Sequence, residues 1–388
     1  MTDVIEQNIS TTTENSTKNP EKVKAKSNKS KRSNAYKRFL RENNETQDSS
    51  TMKLPRIQEV EESVLTCIIG QNEPVRQIIT AIYKAIVFKS IKTNLLIIGD
   101  SGTGKTETIR QILKVLNLPY TIEDATKYTQ EGYYGADVEE MIYNLFENAN
   151  QDIERAQNGV IVIDEIDKKA GKGFSDERDV SGREVLNSLL KIIEGTKISI
   201  DIDKEPYIAD FDTSNLIVIF LGAFSGLEEI RKKRLNTSKA GFNLNKDVKP
   251  KQDTKLLKQD LIKYGLPEEF VGRISTIVEM NKLTKQDLAS ILRNSKLSIF
   301  RAYQRELRER GISLYYSGRL FERIAEKSLL TDTGARELNN TVNYIFDRII
   351  YEVLSNPDKY PKRKHITKYK QCRLSLDIVN NNTRYTIT

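Results

Sequence analysis

Three short, mainly apolar runs constrain the fold of this chain more than any other feature. They span residues 94–98, 160–163 and 216–221, and each is followed at once by glycine or aspartate. Helical patterns lie between them, at 107–116 and 182–194. Strands that are apolar throughout are typical of sheets buried on both faces, and strands that alternate with helices are typical of parallel sheets. The sequence therefore predicts an α/β fold with a parallel sheet covered by helices.

The turn after the first run carries a phosphate-binding motif of the form G-x-x-x-x-G-K-[ST]. Its residues are Gly99, Asp100, Ser101, Gly102, Thr103, Gly104, Lys105 and Thr106. Its glycines allow backbone N–H groups to surround phosphates, and the positive N-terminus of the next helix points at them. Lys105 would reach the β- and γ-phosphates of ATP, and Thr106 would ligate Mg²⁺. The position between a predicted strand and a predicted helix argues against a chance glycine turn.

The second apolar run ends in two acids, Asp164 and Glu165. An aspartate at the end of a buried strand can hold Mg²⁺ through water, and this is the Walker-B role expected of Asp164. Glu165 is then placed to polarise the attacking water. The alternative is an acidic strand end that caps a helix. The complete phosphate-binding loop earlier in the chain favours the catalytic interpretation.

The residue counts exclude several kinds of chemistry. The chain has one histidine, His365, and two cysteines, Cys67 and Cys372. That is too few for a disulfide framework or for a four-ligand Cys/His zinc site. No apolar run approaches the ~18 residues of a membrane-spanning helix, and the first thirty residues lack the apolar core of a signal peptide. We therefore expect a cytoplasmic protein without membrane contact.

The net charge of +8 is concentrated near the beginning of the chain. Residues 22–41 carry nine basic residues and no acid, so the remainder is close to neutral. The surrounding segment is rich in Thr, Asn, Ser, Lys and Glu, a composition that cannot bury enough apolar surface to order itself. It is either a solvated tail or a basic tether for an acidic partner or nucleic acid.

We predict three regions: a disordered basic tail (1–52), a large ATPase domain (53–282) and a small, mostly helical lid domain (283–388). In the last region, Thr284 and Asp287 resemble a capping box. Apolar residues from Leu288 to Leu307 predict one helix that Gly311 ends. Further helices around 320–329 and 338–353 follow, and short strands at 373–379 and 384–388.

Several longer blocks occur in a fixed order along the chain. They are residues 132–139, 164–168, 179–183, 189–196, 212–214, 222–227, 261–266, 269–273 and 333–336. Together they resemble the ClpX family of AAA+ protein unfoldases over about residues 54–355. The resemblance implies a ring hexamer that binds ATP between subunits.

From spacing alone, two arginines fit either a functional role or an ordinary surface position. The resemblance assigns roles to both. It makes Arg273 the arginine finger that acts on a neighbour's nucleotide, and Arg336 the sensor-2 arginine that contacts the phosphates from the small domain. Ile68 and Ile69 would line the adenine pocket.

The segment Gly132-Tyr133-Tyr134-Gly135 matches the family's aromatic pore loop. A bulky aromatic residue between glycines can wedge against any polypeptide without reading its sequence. Tyr133 matches the family's tyrosine, and Tyr134 stands where an aliphatic residue is usual. The alternative is a Tyr-Tyr turn packed on the core.

Four departures from the family pattern affect its partners. The basic tail stands in place of a zinc-binding N-terminal domain, and the pore-entrance segment between Thr196 and Asp212 is acidic rather than basic. The tripeptide that docks the family's ring on a Clp-type serine peptidase appears as Ala240-Gly241-Phe242, with alanine in place of a larger aliphatic residue. No sensor-1 residue stands out after the run 216–221.

The motifs predict an ATPase with Mg²⁺ as the metal, and the resemblance implies an unfoldase that threads unfolded or tagged proteins through a homohexameric ring. Delivery to a peptidase is one outcome, and a stand-alone remodelling ATPase is the other. A nucleic-acid motor is a further alternative, which the basic tail favours. The pore loop with Tyr133 and Tyr134 argues against it, since pores that act on DNA usually present Lys or Arg. The intact Lys105, Asp164, Glu165 and Arg273 argue against a non-enzymatic scaffold.

Overall fold

The computed structural model describes residues 54–89, 91–128, 136–171, 178–202, 207–240, 255–330, 334–361, 369–377 and 382–387. The tail predicted at 1–52 lies outside these residues. Within the described part of the chain, no helix combines the length and the apolar character that crossing a membrane would require.

A five-stranded sheet forms the centre of the first part of the chain, and all its neighbouring strands are parallel. The strands lie in the order β2 (Tyr120–Asp124), β3 (Val160–Asp164), β6 (Ile217–Gly222), β1 (Asn94–Ile98) and β7 (Thr276–Glu279). The α/β class and the parallel sheet are confirmed. The three predicted strands, now β1, β3 and β6, agree with their expected bounds to within one residue, whereas β2 and β7 were not predicted.

Nine helices of the described residues belong to this part. They are α1 (Ile57–Leu65), α2 (Asn72–Val87), α3 (Lys105–Leu116), α4 (Ala136–Asn148), α5 (Ile153–Gln157), α6 (Arg178–Glu194), α7 (Leu227–Ala240), α8 (Lys258–Tyr264) and α9 (Glu268–Arg273). The apolar stripe of α2 is buried as its spacing predicts. Gly195 ends α6 with a φ of 85°, a conformation that glycine adopts without strain.

A β-hairpin lies between α6 and β6 in the chain. Its strands β4 (Lys197–Ile202) and β5 (Tyr207–Asp212) are antiparallel. At its base the N–H and the hydroxyl of Thr213 both donate to the Thr196 carbonyl, and the Thr196 N–H donates to the Thr213 hydroxyl. These hydrogen bonds are 2.8–3.0 Å long. This hairpin contains the acidic segment that departs from the family's basic pore-entrance loop.

The last part of the chain contains four helices in its described residues: α10 (Lys285–Asn294), α11 (Ile299–Glu309), α12 (Leu320–Ser328) and α13 (Ala335–Ser355). The capping box is confirmed, since Thr284 and Asp287 exchange backbone-to-side-chain hydrogen bonds. The prediction of one helix from Leu288 to Leu307 is wrong. Ser298 interrupts it, because its hydroxyl donates to the Leu292 carbonyl and accepts from the Arg301 N–H, which begins a new helix.

Three strands complete this region, in the order β10 (Asn382–Ile387), β9 (Lys370–Asp377) and β8 (Ile312–Tyr316). The two C-terminal strands were predicted, and β8 was not. Phe300 packs edge-on against both Phe321 and Phe346, with ring centroids 4.9 and 5.3 Å apart. A separate apolar cluster therefore stabilises the helical region.

Candidate active site

Three neighbouring strands end beside the residues predicted to bind nucleotide. β1 leads into the glycine-rich loop, β3 ends at Asp164, and β6 lies between these two strands. Because parallel strands end at the same edge of the sheet, loop and acid lie close together. The Thr106 hydroxyl donates a hydrogen bond of 2.6 Å to Oδ2 of Asp164.

The glycines of the loop are needed for its shape. Gly102 and Gly104 have φ angles of 77° and 92°, in the left-handed region that favours glycine. A Cβ at Gly99 would lie 2.7 Å from the Cβ of Met280, which follows β7. The loop therefore combines a left-handed turn before α3 with close packing against the end of the sheet.

Lys105 begins α3, and its side chain folds back over the loop. Its Nζ donates hydrogen bonds to the carbonyl oxygens of Gly99 at 2.5 Å and Asp100 at 3.1 Å. Burial lowers the pKa of Lys105, and the carboxylates of Asp164 and Asp167 oppose that shift. The positive charge of Lys105 thus lies in a half-buried position beside two backbone carbonyl oxygens.

The oxygen atoms of Thr106 and Asp164 fit a nucleotide-bound magnesium ion. Mg²⁺ in such sites takes one or two protein ligands and completes its shell with phosphate oxygens and water. The described residues contain no group of three or more His, Cys, Asp or Glu side chains able to hold a metal by themselves. A cation at this pair would therefore depend on the nucleotide for its remaining ligands.

Glu165 is exposed and has a φ of 59°, which is uncommon for a residue with a side chain. Its N–H donates to Oδ1 of Asp164 at 2.9 Å. Such backbone strain costs on the order of 1–3 kcal/mol and occurs mainly at functional sites. The turn directs the chain away from β3 immediately after the acid pair.

A cavity of about 660 Å³ joins these residues. The predicted site residues that line it are Ile68, Ile69, Ser101, Gly102, Thr103, Gly104, Lys105, Thr106, Asp164, Glu165 and Arg336. Its other wall comes from the helical region and includes Leu283, Ile291 and Leu297. The volume and the mixture of apolar and charged walls suit a nucleotide, with a base at one end and phosphates at the other.

The N-terminus of α13 contacts the glycine-rich loop directly. The Ala335 N–H donates to the Gly102 carbonyl at 3.1 Å. A Cβ at Gly334 would lie 3.1 Å from that same carbonyl oxygen, and Gly334 has a φ of 56°. The adjacent Arg336 faces the same cavity, and its charge contributes to lowering the pKa of Lys105.

Ser225 and Asp167 are among the further polar residues that line the cavity, and the sequence alone did not assign them a role. Ser225 follows β6, where a sensor-1 residue was sought, and Asp167 lies in the 3₁₀ turn Ile166–Lys169. The Asp167 carboxylate accepts from the N–H groups of Ala223 at 3.1 Å and Phe224 at 3.3 Å. A polar side chain just after a buried strand was the available signal for Ser225.

The remaining predicted residues do not lie in the cavity or fall outside the described chain. Arg273 ends α9, and its guanidinium pairs with Glu194 at 2.6 Å. Tyr133 and Tyr134 lie outside the described residues, as do Gly241 and Phe242. Ala240 is the last residue of α7.

A parallel sheet of order β2-β3-β6-β1-β7, a glycine-rich loop after β1, an acid pair after β3 and a following helical region define an AAA ATPase. Family models agree. One described as AAA domain (Cdc48 subfamily) matches residues 90–277, and one described as the C-terminal, D2-small domain of ClpB protein matches residues 283–366.

Curated relatives narrow the class. The ATP-dependent Clp protease ATP-binding subunit ClpX of Borrelia duttonii is 37% identical over 336 residues, which cover 81% of this chain and 78% of the relative. The ClpX of Treponema denticola is 36% identical over 324 residues, 78% of each chain. ClpX 2 of Wolinella succinogenes is 34% identical over 333 residues, 82% of each chain. The chain belongs to the ClpX family, and it is an AAA+ ATPase with a chaperone's architecture.

Proposed function

We propose that this ATPase works as a homohexameric ring that unfolds proteins by threading them through its central pore. The observation that carries the proposal is the cavity itself. It combines Lys105, Thr106, Asp164 and Glu165 in one place and is closed by a second, helical wall. A nucleotide between two such walls can change their relative position during its hydrolysis, and this is the property a mechanical motor needs.

Within one subunit, each residue has a distinct part in hydrolysis. Lys105 neutralises charge on the β- and γ-phosphates, and Thr106 with Asp164 holds Mg²⁺ directly or through water. The metal supplies charge neutralisation on the phosphate oxygens. Glu165 polarises the attacking water. Arg336 contacts the phosphates from the helical wall, and Ile68 with Ile69 packs against the base.

Arg273 is proposed to act on the nucleotide of a neighbouring subunit. In its own chain it pairs with Glu194 and is half exposed, so it is accessible to another surface. A guanidinium supplied from a neighbour stabilises the charge that develops on the transferred phosphoryl group. This assignment makes a ring, rather than a monomer, the active form.

The pore loop with Tyr133 and Tyr134 is proposed to contact the substrate polypeptide. The relatives named above are ATP-binding subunits of Clp proteases, which supports delivery of unfolded chains to a Clp-type serine peptidase through Ala240-Gly241-Phe242. Alanine buries less surface than isoleucine or leucine, at about 0.8 kcal/mol per CH₂. That deficit, repeated in six subunits, favours a second candidate function, remodelling without a peptidase.

Unfolding of a stable tagged protein tests the proposal. We expect Tyr133→Ala to leave basal ATP hydrolysis intact and to abolish unfolding, because the ring would turn over without contact to its substrate. Tyr36→Ala, a tyrosine in the tail, is the matched control and should unfold normally. The test is best run in parallel with a variant that lacks residues 1–52.

Two outcomes would contradict the proposal. One is normal unfolding by Tyr133→Ala. The other is stimulation of ATP hydrolysis by DNA or RNA, and not by unfolded protein, in the variant without the tail. Because the tail carries the excess positive charge, its removal should lower salt-sensitive nucleic-acid binding without altering unfolding.

A further inference from the structure

Gln71 occupies an unusual position at the beginning of α2. It is fully buried and is the residue that precedes the first turn of the helix. Residues in this position usually turn a short polar side chain onto the helix's own N–H groups. The Gln71 side chain makes no such bond and extends instead toward two distant segments.

The Gln71 side-chain amide forms its hydrogen bonds with backbone atoms of those segments. Its Nε2 donates to the Thr103 carbonyl at 3.2 Å and to the Asn281 carbonyl at 2.9 Å. Its Oε1 accepts from the Asn281 N–H at 2.8 Å. Two carbonyls and one N–H fix the orientation of the amide. Exchanging its oxygen and nitrogen would place the amide oxygen against the two carbonyl oxygens and the NH₂ group against the N–H.

Asn281 lies where the chain leaves the sheet for the helical region. Met280 still donates its N–H to the Ile98 carbonyl at 2.7 Å, and Thr284 already caps α10. We call residues 281–284 the joint. The Asn281 side chain also donates to the Gly70 carbonyl at 3.0 Å, so Gly70 and Gln71 contact the joint from one side.

The other end of the Gln71 amide contacts the nucleotide loop. Thr103 lies between the two left-handed glycines Gly102 and Gly104, and it lines the cavity. One buried side chain thus connects the phosphate-binding loop to the joint through backbone hydrogen bonds alone. If nucleotide binding moves the loop, the Thr103 carbonyl moves with it, and its hydrogen bond with Gln71 changes.

We propose that Gln71 is a positioning residue that couples the phosphate-binding loop to the joint, so that nucleotide binding orders residues 281–284 and fixes the helical wall over the cavity. The inference deepens the proposed function and rests on it only for the nucleotide's place at residues 99–106. An amide that merely filled the core would not need to connect these two segments.

Hydrogen exchange of the full-length protein with and without ADP tests this coupling. In the wild type, ADP should slow exchange in peptides that cover residues 99–106 and also in those that cover 278–287. In Gln71→Met, which keeps the side chain's length and removes its polar atoms, ADP should still protect 99–106 but lose the protection of 278–287. Gln77→Met, an exposed glutamine of the same helix, is the matched control and should behave as the wild type.

Steady-state hydrolysis provides a second measurement. Loss of the coupling should lower kcat by about 10²-fold, the cost of a ~1 Å misplacement of groups at the site, with a smaller change in KM. Gln71→Glu keeps the acceptor for the Asn281 N–H and removes both donated bonds, so it should show the same pattern if Gln71→Met does not fold. A parallel rise in KM with unchanged kcat would contradict the proposal.

Other outcomes are equally decisive. Equal ADP protection of residues 278–287 in Gln71→Met and the wild type overturns the coupling, and so does protection of 99–106 alone in the wild type. If ADP protects neither peptide in the wild type, the nucleotide's place at residues 99–106 fails first, and the inference fails with it.

Discussion

Replacement of Asp167 by asparagine should destabilise the turn after β6. The Asp167 carboxylate is almost completely buried and accepts two backbone N–H groups, from Ala223 and Phe224. Hydrogen bonds to a charged group contribute about 1.5–3 kcal/mol each. Asparagine can accept one of the two and points its NH₂ group at the other N–H, so we expect a loss of about 1.5–3 kcal/mol.

The surroundings leave little room for adjustment. Phe224 has a φ of 51° and packs against Tyr264 with ring centroids 5.1 Å apart. A Cβ at Gly222 would lie 2.8 Å from Oδ1 of Asp167. The turn therefore cannot move to restore the lost bond, and thermal unfolding should shift down by about 3–12 °C, at ~2–4 °C per kcal/mol for a domain of this size.

Asp167→Asn should also change the pH dependence of ATP hydrolysis. The Asp167 carboxylate opposes the lowering of the Lys105 pKa that burial causes. Removal of that negative charge lowers the pKa of Lys105 further, so its charged form is lost at a lower pH. The alkaline side of the ATPase pH profile should therefore move to lower pH.

The assay compares Asp167→Asn with Asp358→Asn, an exposed aspartate of the helical region, by thermal unfolding and by the pH profile. The reasoning is refuted if the unfolding midpoints of Asp167→Asn and of the control differ by less than ~1 °C, since the expected shift is clearly larger. An alkaline limb that does not move, or that moves to higher pH, refutes the electrostatic part alone.

Two further predictions concern hydrolysis. Glu165→Gln should bind ATP and assemble while hydrolysing it poorly, because the water is no longer polarised; nucleotide binding and phosphate release measure the two steps, and near-normal turnover would remove Glu165 from its role. Arg273→Ala should bind nucleotide and lose rate by about 10³–10⁵-fold. Mixing it with Lys105→Ala subunits should restore part of the activity, whereas mixed rings without recovery would indicate a role within one subunit.

Each part of the candidate site that the sequence predicted is a short, uninterrupted stretch of the chain. The loop from Gly99 to Thr106 and the pair Asp164–Glu165 are recognised because their spacing follows directly from strand and turn geometry. Their strands were found for a related reason, since β1, β3 and β6 are buried on both faces and so are apolar at nearly every position. The edge strand β2 alternates between buried and partly exposed residues and gave no such signal.

The missed features depend on contacts between distant residues. Gln71 meets Asn281 across 210 positions, and Asp167 meets Phe224 across 57. Neither contact has a local pattern. The error in the helical region has a different cause, because apolar spacing continues across the break between α10 and α11 while the hydroxyl of Ser298 ends the first helix and begins the second.

Topology brings the proposed nucleotide site and the helical region to the same edge of the sheet. Four strands lie side by side in the order β3, β6, β1 and β7. At their carboxyl ends follow, in the same order, the acid pair, the turn with Ser225, the phosphate-binding loop and the joint. The helical region returns to the same edge through the Ala335 N–H, which contacts Gly102. The chain thus meets the loop twice, through the ion pair of Lys282 with Asp100 at the joint and through the Ala335 N–H at the start of α13. A movement of the loop would therefore reach the helical wall by two separate contacts.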